Sequence, residues 1–257
     1  MKNVFTQPDW VPCVPVGTRI LITGATGGLG SALVRMLLKG STCIIGAHGS
    51  SHALNFEDDR IIPLLQTFKE ESSCCKLIDD YVGQSGGIDA LVILSGSIGY
   101  SDHWMDMPAE DWEREICVNL NYPFYLARKA MKYMISQKTG GRIIFTGTES
   151  ALHGGSSISF PYAIGKRGTE CMVQGFAREA AQDGILVNGM RLGYIASGFH
   201  ERWHKKTKED MRKRAELVPL KRAGDPDEVA ALIIYLLSGY GGFITGQMLP
   251  ITGGDWL

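Results

Sequence analysis

Tyr162 and Lys166 stand four residues apart in Tyr162-Ala163-Ile164-Gly165-Lys166. On a helix that spacing puts both side chains on one face. A free phenol, with a pKa of about 10, is a poor proton-transfer group at neutral pH. A lysine cation beside it favours the phenolate and lowers that value. The pair can then pass a proton to or from a carbonyl oxygen or an alcohol. A second cluster, Thr23 to Gly30 (TGATGGLG), concentrates glycine after a short β-branched run, Arg19 to Thr23. One glycine permits a tight turn, another lets the backbone approach a phosphate, and a third lets the following helix pack closely. The open N–H groups and dipole at that helix start favour an anion. The cluster makes Gly24, Thr26, Gly27, Gly28, Leu29 and Gly30 candidate cofactor-binding residues.

Two further patterns carry chemistry. His200-Glu201-Arg202-Trp203-His204 spells H-E-x-x-H, a spacing that on a helix can hold zinc. The motif is short enough to arise by chance, and we expect no metal. His200 to Arg214 also carries Arg202, Lys205, Lys206, Lys208, Arg212, Lys213 and Arg214 against Glu201, Glu209 and Asp210. Such a stretch reads first as a solvated face and second as a site for an acidic or carrier-bound substrate.

The elements that must position these groups are legible as alternating runs. Strands are expected at Arg19–Thr23, Thr42–Ala47, Ile61–Phe68, Ile88–Leu94, Gly141–Thr146, Ile185–Arg191 and Met248–Ile251. Helices are expected at Ser31–Lys39, with Gly40 as its cap, and at Glu70–Val82. Others are expected at Ala109–Gln137, with Pro123 allowing a bend, at Tyr162–Gln182, and at Asp225–Leu237. Asp225-Pro226-Asp227-Glu228 is an N-cap followed by a first-turn proline and acids. Strands alternating with helices imply an α/β fold: a doubly wound three-layer sandwich around a mostly parallel seven-stranded sheet. We expect residues 1–17, with Pro8, Pro12 and Pro15, to be an irregular extension and residues 18–257 to form one domain.

Bulk composition narrows the function classes. Glycine supplies 32 of the 257 residues with no three-residue period, which excludes collagen. Net charge is −1, which does not suggest nucleic-acid or membrane-surface binding. No apolar run approaches the length of a membrane span. The six cysteines contain no C-x-x-C pair and read as free thiols. A cytoplasmic protein is expected.

The glycine turn and the Tyr162/Lys166 pair together resemble the short-chain dehydrogenase/reductase family. Gly24, Gly28 and Gly30 match the T-G-x-x-x-G-x-G pattern of its short branch; Gly24, Gly27 and Gly30 equally match a longer sugar-nucleotide branch. Val218-Pro219-Leu220-Lys221-Arg222, Asp225 to Ala230, Thr245-Gly246-Gln247 and Gly253-Gly254 resemble 3-oxoacyl-carrier reductases. The resemblance spans roughly residues 18 to 255. It implies Tyr162 as general acid/base, Lys166 as its partner and ribose ligand, and Asn119 as a support for proton return, with Asn121 as competitor. It also implies a hydroxyl at the end of the fifth strand. Thr148 lies 14 residues before Tyr162 and Ser150 lies 12 before, bracketing the place of the family's serine. Thr148 is the first choice and Ser150 the second.

The same resemblance adds Thr67, Phe68, Ser95, Gly96, Gly193, Ile195 and Ser197 to the cofactor residues. Ile93-Leu94-Ser95-Gly96 stands where the family has Asn-Asn-Ala-Gly, and Asp183 stands where carrier-linked reductases often have arginine. After the second strand, Gly46 to His52 contains no acid for a ribose 2′-hydroxyl, whereas His48, Ser50 and Ser51 could meet a 2′-phosphate. NADP(H) is therefore expected ahead of NAD(H). The expected activity is reduction of a ketone, or oxidation of the matching alcohol, on a small or carrier-bound substrate, by a homo-oligomer. Rival readings are a sugar-nucleotide dehydratase or epimerase, and a dinucleotide-binding sensor without activity.

Overall fold

Short apolar runs flanked by polar turns build the sheet. The structure is a computed structural model describing residues 13–54, 56–100, 102–204 and 207–255, with backbone alone for 203 and 204. In chain order it contains β1 (Arg19–Thr23), α1 (Gly28–Gly40), β2 (Ile44–Gly49), β3 (Ile61–Leu65), α2 (Glu71–Ser85) and β4 (Ala90–Ile93). Then come α3 (Ala109–Ile116), α4 (Tyr122–Gln137), β5 (Gly141–Thr148) and α5 (Phe160–Ala180). The chain closes with β6 (Ile185–Leu192), α6 (Phe199–His204), α7 (Lys208–Leu217), α8 (Pro226–Leu237) and β7 (Met248–Ile251).

The seven strands lie in the order β3-β2-β1-β4-β5-β6-β7 and all pair in parallel. The order reverses between β1 and β4, and the carboxyl ends of those strands open the crevice where such sheets take ligands. Each face of the sheet has its own core. On one, Leu33 and Leu37 of α1 pack with Ile233 and Leu237 of α8. On the other, Leu77, Leu126, Phe145 and Val173 join α2, α4, β5 and α5. Full burial of each such side chain contributes about 1.5–3 kcal/mol. The central strands are apolar on both faces because helices cover both.

Several expected boundaries move. α1 begins at Gly28, inside the glycine cluster, and its cap is Ser41, whose N–H donates to Leu37 O at 2.8 Å. β2 starts at Ile44 rather than Thr42, since Thr42 O accepts the Gly17 N–H. The long helix at 109–137 is interrupted: Cys117–Asn121 forms a π-helical turn between α3 and α4. Pro123 supplies the reason. Its missing N–H leaves no regular bond to close on the preceding turn, so the ladder widens there. Residues 1–12 of the expected extension lie outside the described residues. Val14 is buried in the first core, and its N–H donates to Ser41 Oγ at 3.0 Å. Among the described residues no helix is long and apolar enough to cross a membrane.

Candidate active site

Two adjoining clefts open over the carboxyl ends of the strands, sharing Leu29, Leu94, Gly96, Ser197 and Phe199. The first-strand cleft is built on the glycine turn. A Cβ on Gly28 would lie 2.2 Å from Ser197 O, and one on Gly30 would lie 2.3 Å from Gly24 O. No side chain fits either place, so the segment after β6 closes directly over the backbone that starts α1. With the unbonded N–H groups at that helix start, this cradle fits a dinucleotide pyrophosphate. Gly24, Thr26, Gly27, Gly28, Leu29, Gly30, His48, Thr67, Phe68, Ser95, Gly96 and Ser197 all line this cleft.

His48 is placed differently from the expectation. It is buried. Its Nδ1 accepts the Gly24 N–H at 3.3 Å, and its Nε2 meets Gln66 O at 2.8 Å. A carbonyl only accepts, so Nε2 carries the proton and the ring is neutral. Burial holds its pKa below the usual histidine range. The ring stacks on Phe68 at 4.8 Å between centroids. His48 thus offers the cleft a wall and a clasp on the glycine turn, with no charge left for a 2′-phosphate. Ser50 lines the cleft, and Ser51 turns to His52 at 3.1 Å.

The second cleft gathers Thr148, Ser150, Tyr162, Lys166, Gly193, Ile195 and Ser197. Tyr162 and Lys166 sit on the first turns of α5, with the lysine nitrogen 5.7 Å from the phenol ring centre. Lys166 Nζ donates to Thr146 O at 2.9 Å, which ties it to β5. Burial lowers its pKa to about 8. The expected lowering at Tyr162 is reversed: burial raises its pKa above the usual tyrosine range, and the Glu115 carboxylate adds to that. Desolvation of the phenolate outweighs the attraction of a lysine that is itself desolvated. Thr148 closes β5, and its hydroxyl lies 3.1 Å from Ser150 Oγ and 3.4 Å from Leu192 O. The two candidate hydroxyls therefore form one hydrogen-bonded pair on the cleft wall.

Asn119 lies beneath the cleft, on the π-helical turn, and is buried. Its Nδ2 donates to Ser97 O at 2.9 Å and to Glu115 O at 3.0 Å, and its Oδ1 accepts the Ser97 N–H at 3.3 Å. A Cβ on Gly96 would lie 3.2 Å from both Asn119 Oδ1 and Lys166 Nζ, so that glycine lets the two polar ends face each other. Its competitor Asn121 turns away, with Nδ2 3.5 Å from Cys117 Sγ.

Sequence comparisons give the family. A family model described as enoyl-(acyl carrier protein) reductase matches residues 67–255. A 3-oxoacyl-[acyl-carrier-protein] reductase of Rickettsia typhi is 33% identical over 243 residues, which is 93% of this chain and 96% of that protein.

The chain belongs to the short-chain dehydrogenase/reductase family.

It is an NAD(P)-dependent oxidoreductase that acts between a carbonyl and a CH–OH group, as the family does. A Vibrio harveyi 3-oxoacyl-[acyl-carrier-protein] reductase is 32% identical, covering 94% of this chain and 98% of its own. An acetoacetyl-CoA reductase of an Acinetobacter strain is 29% identical, covering 92% and 97%. A dehydrogenase/reductase from Sinorhizobium meliloti superposes with a TM-score of 0.80 at 22% identity, covering 95% and 97%, and shares the fold.

Within this family frame the basic stretch divides. Arg212 is exposed and paired locally with Glu209 at 2.9 Å and Glu216 at 3.1 Å. Lys213 lies 3.7 Å from Glu209. Lys205 and Lys206 fall outside the described residues. Among the described residues, two cations of the stretch line the clefts: Arg202 in the one built on the glycine turn and Arg214 in the one that holds Tyr162. Periodicity around α6 and α7 marks all seven alike, so sequence alone did not separate these two. Asp255, which also lines the catalytic cleft, carried no signal. Nor did Glu115, which accepts N–H bonds from Gly99 and Tyr100 and braces Asn119. In the H-E-x-x-H motif, His200 packs against the Tyr194 ring at 5.2 Å. The side chain of His204 lies outside the described residues, and among those described no group of three metal-ligating side chains occurs.

Proposed function

We propose that the chain is an NADP(H)-dependent reductase of 3-oxoacyl thioesters. The observation that carries the reading is the single cleft in which Tyr162, Lys166, Thr148 and Ser150 meet beside the phosphate cradle. The printed activities of the Rickettsia, Vibrio and Acinetobacter relatives support the thioester. For the cofactor, the nucleotide cleft has among the described residues one arginine, Arg202, and no carboxylate. That charge balance favours the cofactor with the additional phosphate.

The chemistry supplied by a bound nicotinamide is hydride donation to the carbonyl carbon. Tyr162, whose raised pKa keeps the phenol protonated, gives a proton to the carbonyl oxygen. The Thr148 and Ser150 hydroxyls steady that oxygen as charge develops on it. Lys166, fixed by Thr146 O, orients the ribose side of the cofactor and stabilises the phenolate left on Tyr162. Asn119 holds the backbone at Ser97, and with it the wall shared by the two clefts.

The test is a panel with purified protein: a 3-oxoacyl thioester, the matching enoyl thioester and a nucleotide sugar, each with NADPH and NADH. The reading expects turnover of the 3-oxoacyl thioester with at least tenfold higher kcat/KM for NADPH. Preference for the enoyl thioester, epimerisation of the nucleotide sugar, or an NADH preference contradicts it. The same reading places the chain in the cytoplasm, where its six unpaired thiols stay reduced. It also makes the chain a homo-oligomer: β7 is an edge strand, and Phe243, in the segment leading to it, is fully exposed. Light scattering should give a dimer or tetramer mass, reduced by Phe243→Glu; a monomer of 28.1 kDa refutes that assembly.

A further inference from the structure

The catalytic cleft has two polar poles. One is the group around Tyr162. The other is an ion pair between Arg214, in the last turn of α7, and Asp255, in the turn after β7. Both residues line the same cleft as Tyr162 and Thr148. The Arg214 guanidinium lies 5.3 Å from the Tyr194 ring centre, and the Tyr194 hydroxyl donates to Met211 O at 3.0 Å, one turn back on α7. Arg214 is therefore held by Asp255 and by an aromatic face that is itself tied to α7, with its side chain 32% exposed and that of Asp255 only 11% exposed.

A guanidinium has five N–H donors, and a carboxylate partner leaves several of them for another acceptor. Leu192, Ile195 and Phe199 line the same cleft, and a substrate that displaces water from the Arg214 donors without replacing its hydrogen bonds loses binding energy. A substrate with only one oxygen, engaged at Tyr162, leaves Arg214 unsatisfied. The substrate must bring a second acceptor. Its charge follows from Asp255: the pair is already neutral, so a carboxylate on the substrate would meet the Asp255 charge, whereas an uncharged carbonyl would not.

We propose that Arg214, balanced by Asp255, is a specificity-determining residue that donates to the neutral thioester carbonyl of the substrate and disfavours the corresponding free 3-oxo acid. This rests on the thioester reading above and says how the site enforces it. No covalent step is involved. The arginine supplies hydrogen bonds, and the aspartate sets the charge that the arginine presents.

The experiment compares 3-oxobutanoyl N-acetylcysteamine thioester with free 3-oxobutanoate, with NADPH, in three proteins. Wild type should prefer the thioester. Arg214→Met should raise KM for the thioester at least tenfold while kcat changes less than threefold. Asp255→Asn leaves the arginine charge unbalanced, so the ratio of kcat/KM for the acid to that for the thioester should rise at least tenfold. An ion pair that merely pins α7 to the tail would lower both substrates alike in both variants, and that result overturns the proposal. So does an unchanged KM in Arg214→Met. If Arg214→Met is unfolded by its melting curve, the Asp255→Asn ratio decides alone. Failure of wild type to reduce the thioester while it reduces another carbonyl class overturns the parent reading as well; indifference confined to the variants overturns only this inference.

Discussion

Lys166 shows how a residue's burial sets its chemistry. It is legible in the sequence as the partner of Tyr162, but its proton affinity is not, because desolvation depends on what α5 packs against. With a pKa of about 8 in the fold, it is cationic at neutral pH and loses its charge just above. In the reductive direction kcat/KM should be level below pH 8 and fall with a one-proton limb above it, and a limb displaced toward pH 10 refutes this. Stability moves the opposite way. Between about 8 and the unfolded value of about 10.4, the unfolded chain binds a proton that the folded chain does not, so folding gains stability as pH rises. Denaturant melts should show wild type gaining on Lys166→Met by up to about 3 kcal/mol across that window. The hydroxyl pair is a second case. Spacing alone leaves Thr148 and Ser150 open, and the structure explains why, since the two share one hydrogen bond. Thr148→Val and Ser150→Ala should each lower kcat by about 10- to 1000-fold, with the double variant little worse than the more damaging single one. Full additivity would show that the hydroxyls act separately.

At the scale of elements, the start of α1 joins sequence to function most tightly. The glycine cluster is readable as a tight turn into a helix, but the reason Gly28 must be glycine is not. It is Ser197 O, from a segment 169 positions downstream, which a Cβ would meet at 2.2 Å. Gly28→Ala should therefore weaken binding of both NADPH and NADH at least tenfold in fluorescence titration, because the segment after β6 has to retreat from the cradle. Unchanged affinity for both would mean that the cradle does not bind the cofactor through this close approach. The π-helical turn at Cys117–Asn121 makes the complementary point. Local pattern marks one long amphipathic helix there, and only the packing around Pro123 and the Glu115–Asn119 contact shows where it breaks. α6 and α7 were legible only as a basic stretch, since the direction each cation faces depends on Tyr194 and Asp255, which lie in other elements.

Across the whole molecule, the alternation of strands and helices was enough to give a doubly wound sheet, because the central strands β1 and β4 are buried on both faces and read as continuous apolar runs. The parallel order β3-β2-β1-β4-β5-β6-β7 then brings the turn after β1, the end of β5, the head of α5 and the segment after β6 to one edge. That convergence joins the clefts, and in the proposed reaction hydride donation to a 3-oxo carbonyl is completed there by a proton from Tyr162. The most direct measurement is the initial rate of NADPH oxidation with a 3-oxoacyl thioester, in wild type and in Tyr162→Phe, alongside NADPH binding by each. Wild type should turn over, Tyr162→Phe should lose about 100- to 10,000-fold of that rate, and NADPH affinity should stay within about threefold between them. Thioester reduction that survives in Tyr162→Phe at the wild-type rate would contradict it.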